Sequence, residues 1–301
     1  MLGRRQIREK VVETLYSYHQ NPEPYVALEK KFFYKIGKIY NLYVYQLNFL
    51  VALRDLAEQQ IEIGKQKFIK KEEDINPNQK FINNQVLRKL EENTERLSFT
   101  SKNKELKWDL HDELLVKTFQ KIKAGKRYQD FMKEENISFD DDQKFIGKLF
   151  LRYVAENEDF QDYVSDRELS WTDDIHISNS MIQKTIGFMK EDEYSHTLIR
   201  MLKDGSDEDF AKKLLWESVK NWEENEKKIE ERLQNWDLDR VSLMDKIILI
   251  AAIAELDHFP FTASRIIINE YVEISKVFST DKSNIFINGI LDKYSKDQNR
   301  I

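Results

Sequence analysis

Arg4, Arg5 and Arg8 crowd the start of the chain, with Lys10 beside them and Glu9 the one acid among the first ten residues. A planar guanidinium fork engages phosphate with two parallel hydrogen bonds and also stacks on unpaired bases, so such a cluster suits a polyanion. Tyr16 follows Arg5 by eleven positions and, at 100° per residue, returns to within about 20° of it on a helix. An aromatic ring beside arginines is what single-stranded nucleic acid asks for. Ile7, Val11, Leu15 and Tyr18 fall within about 80° of one another and make an apolar stripe. A helix over residues 4–18 is therefore expected to pack by that stripe, with the three arginines and Tyr16 on the other side. Asn21-Pro22-Glu23-Pro24 ends it.

Other chemistries are poorly supplied. The chain has no cysteine, which removes thiolate catalysis, disulfides, zinc fingers and iron–sulfur ligation. His19, His111, His176, His196 and His258 are scattered, with no pair at the i, i+4 spacing and intervening Glu of a zinc protease. Asp173-Asp174-Ile175-His176 is best taken as a loop or cap. Asp140-Asp141-Asp142 is best taken as the acidic first turn of a helix, since Phe145, Leu149 and Tyr153 follow at helical spacing. Eight dispersed glycines build no phosphate loop. No catalytic residue, metal ligand or cofactor is assigned, and the chain is expected to bind rather than to catalyse.

The elements that position these residues are helices. Only 8 Gly and 4 Pro punctuate 301 residues, too few for the turns of a sandwich, barrel or Rossmann-like sheet. With 41 % apolar and 34 % charged residues the chain is expected to be an all-α protein, long enough for two compact units. Its longest apolar run, residues 247–254, is far short of the roughly 18 residues of a spanning helix. The charged start has no apolar signal-peptide core. A cytoplasmic location without membrane contact is the expectation.

Pro and Gly place the boundaries. A long aromatic-rich helix or pair of helices is expected over residues 25–64, with a break at Asn76-Pro77-Asn78 and loops near residues 98–104 and 136–142. Lys203-Asp204-Gly205-Ser206 opens the next region, with Ser206 as the expected N-cap. Helices over residues 207–219 and 223–233 precede a segment over residues 241–256 that is apolar on nearly every side and so should be central and buried. After Pro260, Ala263, Ile267, Tyr271, Ile274 and Phe278 keep helical spacing, and Ser279-Thr280 is expected to cap a last helix reaching about residue 294. Phe145, Leu149, Val154, Val164 and Trp171 recur 65 residues on as Phe210, Leu214, Val219, Ile229 and Trp236, a faint repeat for which duplication and chance are equally good explanations.

Two separated segments resemble the NusB family of transcription antitermination factors. One is Arg4-Arg5-Gln6-Ile7-Arg8-Glu9 followed by Leu15-Tyr16-Ser17-Tyr18. The other runs from Phe210, Leu214 and Val219 through Trp236, Glu255-Leu256 and Ile268-Asn269-Glu270 to Phe286-Ile287-Asn288-Gly289-Ile290-Leu291-Asp292. Residues 1–20 and 205–301 would form the family's helical bundle, split after its first helix by an inserted helical region over residues 21–204. The layout is similar to long Bacteroidetes-type versions with comparable Leu28-Glu29-Lys30-Lys31 and Leu53-Arg54-Asp55-Leu56-Ala57-Glu58 stretches.

The resemblance implies binding of a boxA-type single-stranded RNA from ribosomal RNA operons, together with the small-subunit ribosomal protein NusE, within the transcription elongation complex. It assigns Arg4, Arg5, Arg8 and Tyr16 to the RNA, and Phe278 and Phe286 to positions along the RNA path. Lys282 stands where several members have an acid, which would favour phosphate there. Glu255 matches an acidic residue at the NusE surface. Ile250 and Ala254 depart from the Arg and Tyr of many members. The alternative is a helical protein-interaction scaffold in which the insert dominates and RNA binding is vestigial.

Overall fold

The computed structural model describes residues 2–193, 197–233 and 238–298. It is 76 % helical and has no strand among these residues, as the shortage of Gly and Pro requires. The α-helices in chain order are α1 (Arg4–Gln20), α2 (Tyr25–Gln66), α3 (Glu72–Ile75), α4 (Gln85–Glu91), α5 (Thr94–Lys102), α6 (Glu113–Ala124), α7 (Lys126–Lys133) and α8 (Phe139–Phe150). They continue with α9 (Glu158–Arg167), α10 (Ile175–Phe188), α11 (Gly205–Lys220), α12 (Trp222–Glu230), α13 (Leu243–His258), α14 (Ser264–Phe278) and α15 (Ser283–Asp297). His196 and Trp236 lie outside the described residues.

Two compact units result. The first comprises Met1–Ile36 and Met201–Ile301, the second Gly37–Arg200. The first turns of α2 thus belong with the first unit, beyond the expected boundary at residue 20. The reason is local: the Tyr25 hydroxyl donates to the Lys212 carbonyl at 3.1 Å and the Tyr25 ring meets Trp216 edge-on at 4.7 Å.

The first unit is organised around α13. Its residues from Ile247 to Leu256 are all buried, Glu255 included, as a segment apolar on nearly every side demands. Helix α1 supplies Ile7, Val11, Val12 and Leu15, each fully buried, to the same core. Helices α11, α14 and α15 add Phe210, Leu214, Tyr271, Ile274, Ile287 and Leu291. Asp204, not Ser206, caps α11, its side chain accepting from the Ser206 amide at 2.9 Å. Likewise α15 begins at Ser283, later than a cap at Ser279-Thr280 would give, because the Ser279 hydroxyl donates to Asp245 on α13 and the Thr280 hydroxyl is bonded to that of Ser283.

In the second unit, α2 contributes Tyr43, Tyr45, Phe49 and Leu53 to a core rich in rings. Tyr45 stacks on Trp108 at 4.5 Å, and Phe49 packs on Phe160 at 5.1 Å. Asp140 and Asp141 do sit in the first turn of α8, which Ser138 caps. Asp142 turns inward and accepts from the Asn84 side chain at 2.7 Å and the Gln85 amide at 2.8 Å.

Candidate nucleic-acid interface

Helix α1 starts from an extended Gly3, whose amide donates to the Gln6 side chain at 2.7 Å, and stops at Asn21 ahead of Pro22. Its three arginines do not share one face. Arg5 is about half exposed and Tyr16 is 39 % exposed, so these two present the outward side that the spacing predicts. Arg4 keeps comparable exposure but leans over the Phe210 ring, 4.9 Å from its centroid, with Asp207 3.6 Å away.

Arg8 overturns its expected outward placement. Its side chain is 4 % exposed, and Nε and Nη2 donate to Glu255 Oε2 and Oε1 at 2.7 and 2.5 Å. Only 100° from Ile7 on the helical wheel, Arg8 lies at the edge of the apolar stripe, from where a long side chain reaches inward. The expected surface position of Glu255 falls with it. Glu255 is fully buried, and besides Arg8 it accepts from the Tyr271 hydroxyl at 3.0 Å. A carboxylate removed from water must be paired and hydrogen-bonded, and here three donors meet that need. Burial alone would lower the Arg8 pKa, but the Glu255 carboxylate outweighs it and holds the guanidinium more firmly charged than usual. Burial carries the Tyr271 phenol well above its ordinary value.

Glu270 on α14 completes this cluster. Arg5 grips it with both ends of its fork, Nε at 2.9 Å and Nη2 at 2.7 Å, and Arg8 Nη1 stands 3.6 Å away. The Arg5 hydrogen bonds keep the Glu270 carboxyl below the usual glutamate range. Ile268-Asn269-Glu270 belongs to the segment quoted for the resemblance, yet no sequence signal said that Glu270 meets α1.

The second part of the interface is the α14–α15 turn. Asp245, in the first turn of α13, accepts from the Ser279 hydroxyl at 2.6 Å and the Ser283 hydroxyl at 3.0 Å. Ser283 also accepts from the Thr280 amide at 3.2 Å. That lock fixes the half-buried Phe278, the exposed Lys282 and the half-buried Phe286 around one turn. Phe286 lines a cleft of about 500 Å³ with Arg232, Leu233, Ile285, Gly289, Ile290 and Lys293. Ile285 is 74 % exposed there, and the buried Arg232 Nε has no hydrogen-bond partner among the described residues. Glu270 and Phe278 are eight residues apart on α14, so the two parts of the interface are separated by about 12 Å along that helix.

A third feature adjoins Tyr16. His19, one turn on, stacks on Trp222 with centroids 5.6 Å apart at 14°, beside a cleft that Lys220 and Lys227 also line. Ile250 and Ala254 are both fully buried, so the departures from the family pattern are matters of packing within the core. Among the described residues no cluster of His, Asp or Glu is arranged to hold a metal ion, and no helix is long and apolar enough to cross a membrane.

Residues 176–296 match the model of the NusB family, a span that begins ahead of residue 205 and omits α1. A transcription antitermination protein NusB from Methylacidiphilum infernorum is 40 % identical over 97 residues, 32 % of this chain and 68 % of that protein. The protein of the same name from Leptospira biflexa is 36 % identical over 110 residues, 36 % of this chain and 75 % of that one. Against its namesake from Salinibacter ruber the identity is 35 % over 99 residues, and the matched part spans 62 % of the relative's length and 32 % of this chain. No solved structure matches the chain.

Proposed function

The chain belongs to the NusB family, and from that membership we propose that it is a transcription antitermination factor. In this reading it binds boxA-type single-stranded RNA of ribosomal RNA operons together with NusE and acts in the transcription elongation complex. The observation that carries the reading is the outward placement of Arg5 and Tyr16 on the same side of α1, with Arg4 at its end. Such a face offers phosphate the Arg5 guanidinium, whose Nε and Nη2 hold Glu270 while Nη1 is left over, and an unpaired base a ring. Phe278, Lys282 and Phe286 extend it at the α14–α15 turn. Arg8 and Glu255 serve differently here: buried together, they hold α1 against α13 and so position Arg5 rather than touch ligand.

The test is RNA binding against salt. Engagement of two phosphates by Arg4 and Arg5 contributes about 1.4 to the negative log–log slope on a single strand. Arg4→Gln with Arg5→Gln is expected to remove that contribution, and an unchanged slope and affinity would sink the reading. Recovery of NusE with ribosomal leader RNA from cells supports the partner assignment. Recovery of other proteins, with neither RNA nor NusE, would favour a protein-interaction scaffold.

A further inference from the structure

Residues 143–155 contain three cations, Lys144, Lys148 and Arg152, and no acid, within a chain of net charge −6. The three are spaced four apart, so they form a row on α8 and the π-helical turn that follows it, each step about 6 Å along the axis. All three are exposed, while Phe145, Ile146, Leu149 and Phe150 on the opposite side of α8 are buried. Arg127 from α7 joins Lys144 and Lys148 around a cleft of about 470 Å³.

These cations form no close ion pair, although Lys144 acts on the Asp141 carboxylate at a distance. Some exposed lysines of the second unit pair with carboxylates, Lys121 with Asp159 at 2.6 Å and Lys117 with Glu113 at 2.5 Å, and others such as Lys102, Lys107 and Lys184 have none within 4.0 Å among the described residues. Arg127, Lys144, Lys148 and Arg152 have no carboxylate within 4.0 Å among the described residues, and Arg152 only overlies the Tyr153 ring at 5.7 Å. The cleft does hold two acids, Glu134 and Asp141, and Asp141 is engaged by its Ser138 cap. Its aromatic floor is closed, since Phe131 and Phe145 stack face to face at 3.9 Å and are 7 % and 6 % exposed.

We propose that the second unit carries its own docking surface for the phosphate backbone of single-stranded RNA, formed by Arg127, Lys144, Lys148 and Arg152. A straight row of evenly spaced charges fits a polymer with one negative charge per repeat. An acidic protein segment would want an apolar anchor as well, and the closed floor offers none. The choice of RNA among polyanions rests on the antitermination reading above; the surface itself does not.

The test is fluorescence anisotropy of the full chain with polyuridylate over a range of salt. Changing all four residues to Gln is expected to lower the slope by up to about 2.8, four phosphates at about 0.7 each. Affinity at low salt should fall at least tenfold and the unfolding midpoint should hold. Lys144→Gln with Lys148→Gln alone should give about half the slope change, and Lys144→Arg with Lys148→Arg should behave as wild type. Unchanged binding by the four-residue variant overturns the proposal, as does competition by polyglutamate equal to that by polyuridylate. If Arg4→Gln with Arg5→Gln has no effect while the four-residue variant loses binding, the α1 reading fails and this surface stands. A wild-type chain that ignores polyuridylate at low salt overturns both.

Discussion

Arg8 and Glu255, 247 positions apart in the chain, form a two-pronged ion pair inside the first unit, with side chains 4 % and 0 % exposed. Removing one partner strands the other charge without water. Arg8→Met or Glu255→Leu alone is therefore expected to cost about 3–5 kcal/mol in urea unfolding, and the double change much less than the sum of the two. Additive losses would mean that the charges do not depend on each other.

Glu270 gives a pH dependence with a definite sign. Its carboxyl sits below the usual glutamate range when folded, because Arg5 hydrogen-bonds the charged form. The stabilisation is present above the unfolded glutamate pKa and is lost as pH falls through the lowered folded value. With Arg5 about half exposed, about 1 kcal/mol or less is at stake. Glu270→Gln should make the acid limb of a stability-against-pH curve shallower, and an unaltered limb would contradict the linkage.

The same substitution should affect ligand. Arg5, Arg8, Glu255 and Glu270 together are neutral, and Glu270→Gln leaves one net positive charge beside Tyr16's helix. RNA binding at low salt is expected to tighten several-fold. Weaker binding would show instead that Glu270's orientation of Arg5 outweighs its charge.

Phe286 and Gly289 share one cleft. Phe286→Ala should weaken RNA binding by about 1–3 kcal/mol, the usual range for loss of a stacked base, whereas Phe286→Tyr should keep most of it. A Cβ on Gly289 would meet nothing within 4 Å. Gly289→Ala should therefore stabilise α15 by up to about 1 kcal/mol, while Gly289→Leu fills the cleft and should reduce RNA binding. Equal RNA affinity for the Leu variant and wild type would remove the cleft from the interface.

Asp245 holds the turn that bears Lys282. Asp245→Ala takes the carboxylate acceptor from the Ser279 and Ser283 hydroxyls, leaving Ser283 only its Ser279 and Thr280 neighbours, and is expected to cost about 1–3 kcal/mol of stability. RNA affinity should fall with it even though Asp245 is itself buried. Separate melting and binding measurements distinguish the two effects.

Helicity was legible because it rests on local facts: few breakers, and apolar spacing in α1 and α13 that tertiary packing then used. Asp140 and Asp141 were likewise legible as a first turn, since capping is a matter of four neighbouring residues. Arg8 shows where such reading stops. A helical wheel counts angles, not the reach of a side chain, and the acid that draws Arg8 inward stands on another helix. Nothing near Asp245 announced Ser279 and Ser283, and the domain edge slipped past Pro24 because Tyr25 finds its partners on α11. Those are choices made by contacts distant in sequence, and spacing does not encode them.

The distance in sequence between Arg8 and Glu255 also sets a schedule. At about 5–20 residues per second of synthesis, roughly 12–50 s separate the emergence of the two from the ribosome. Throughout that interval α1 has no partner for its buried cation, and before it ends the second unit, Gly37–Arg200, has all of its own residues available. The order of birth therefore favours a first unit that closes last, when α13 arrives to collect the helix made at the beginning.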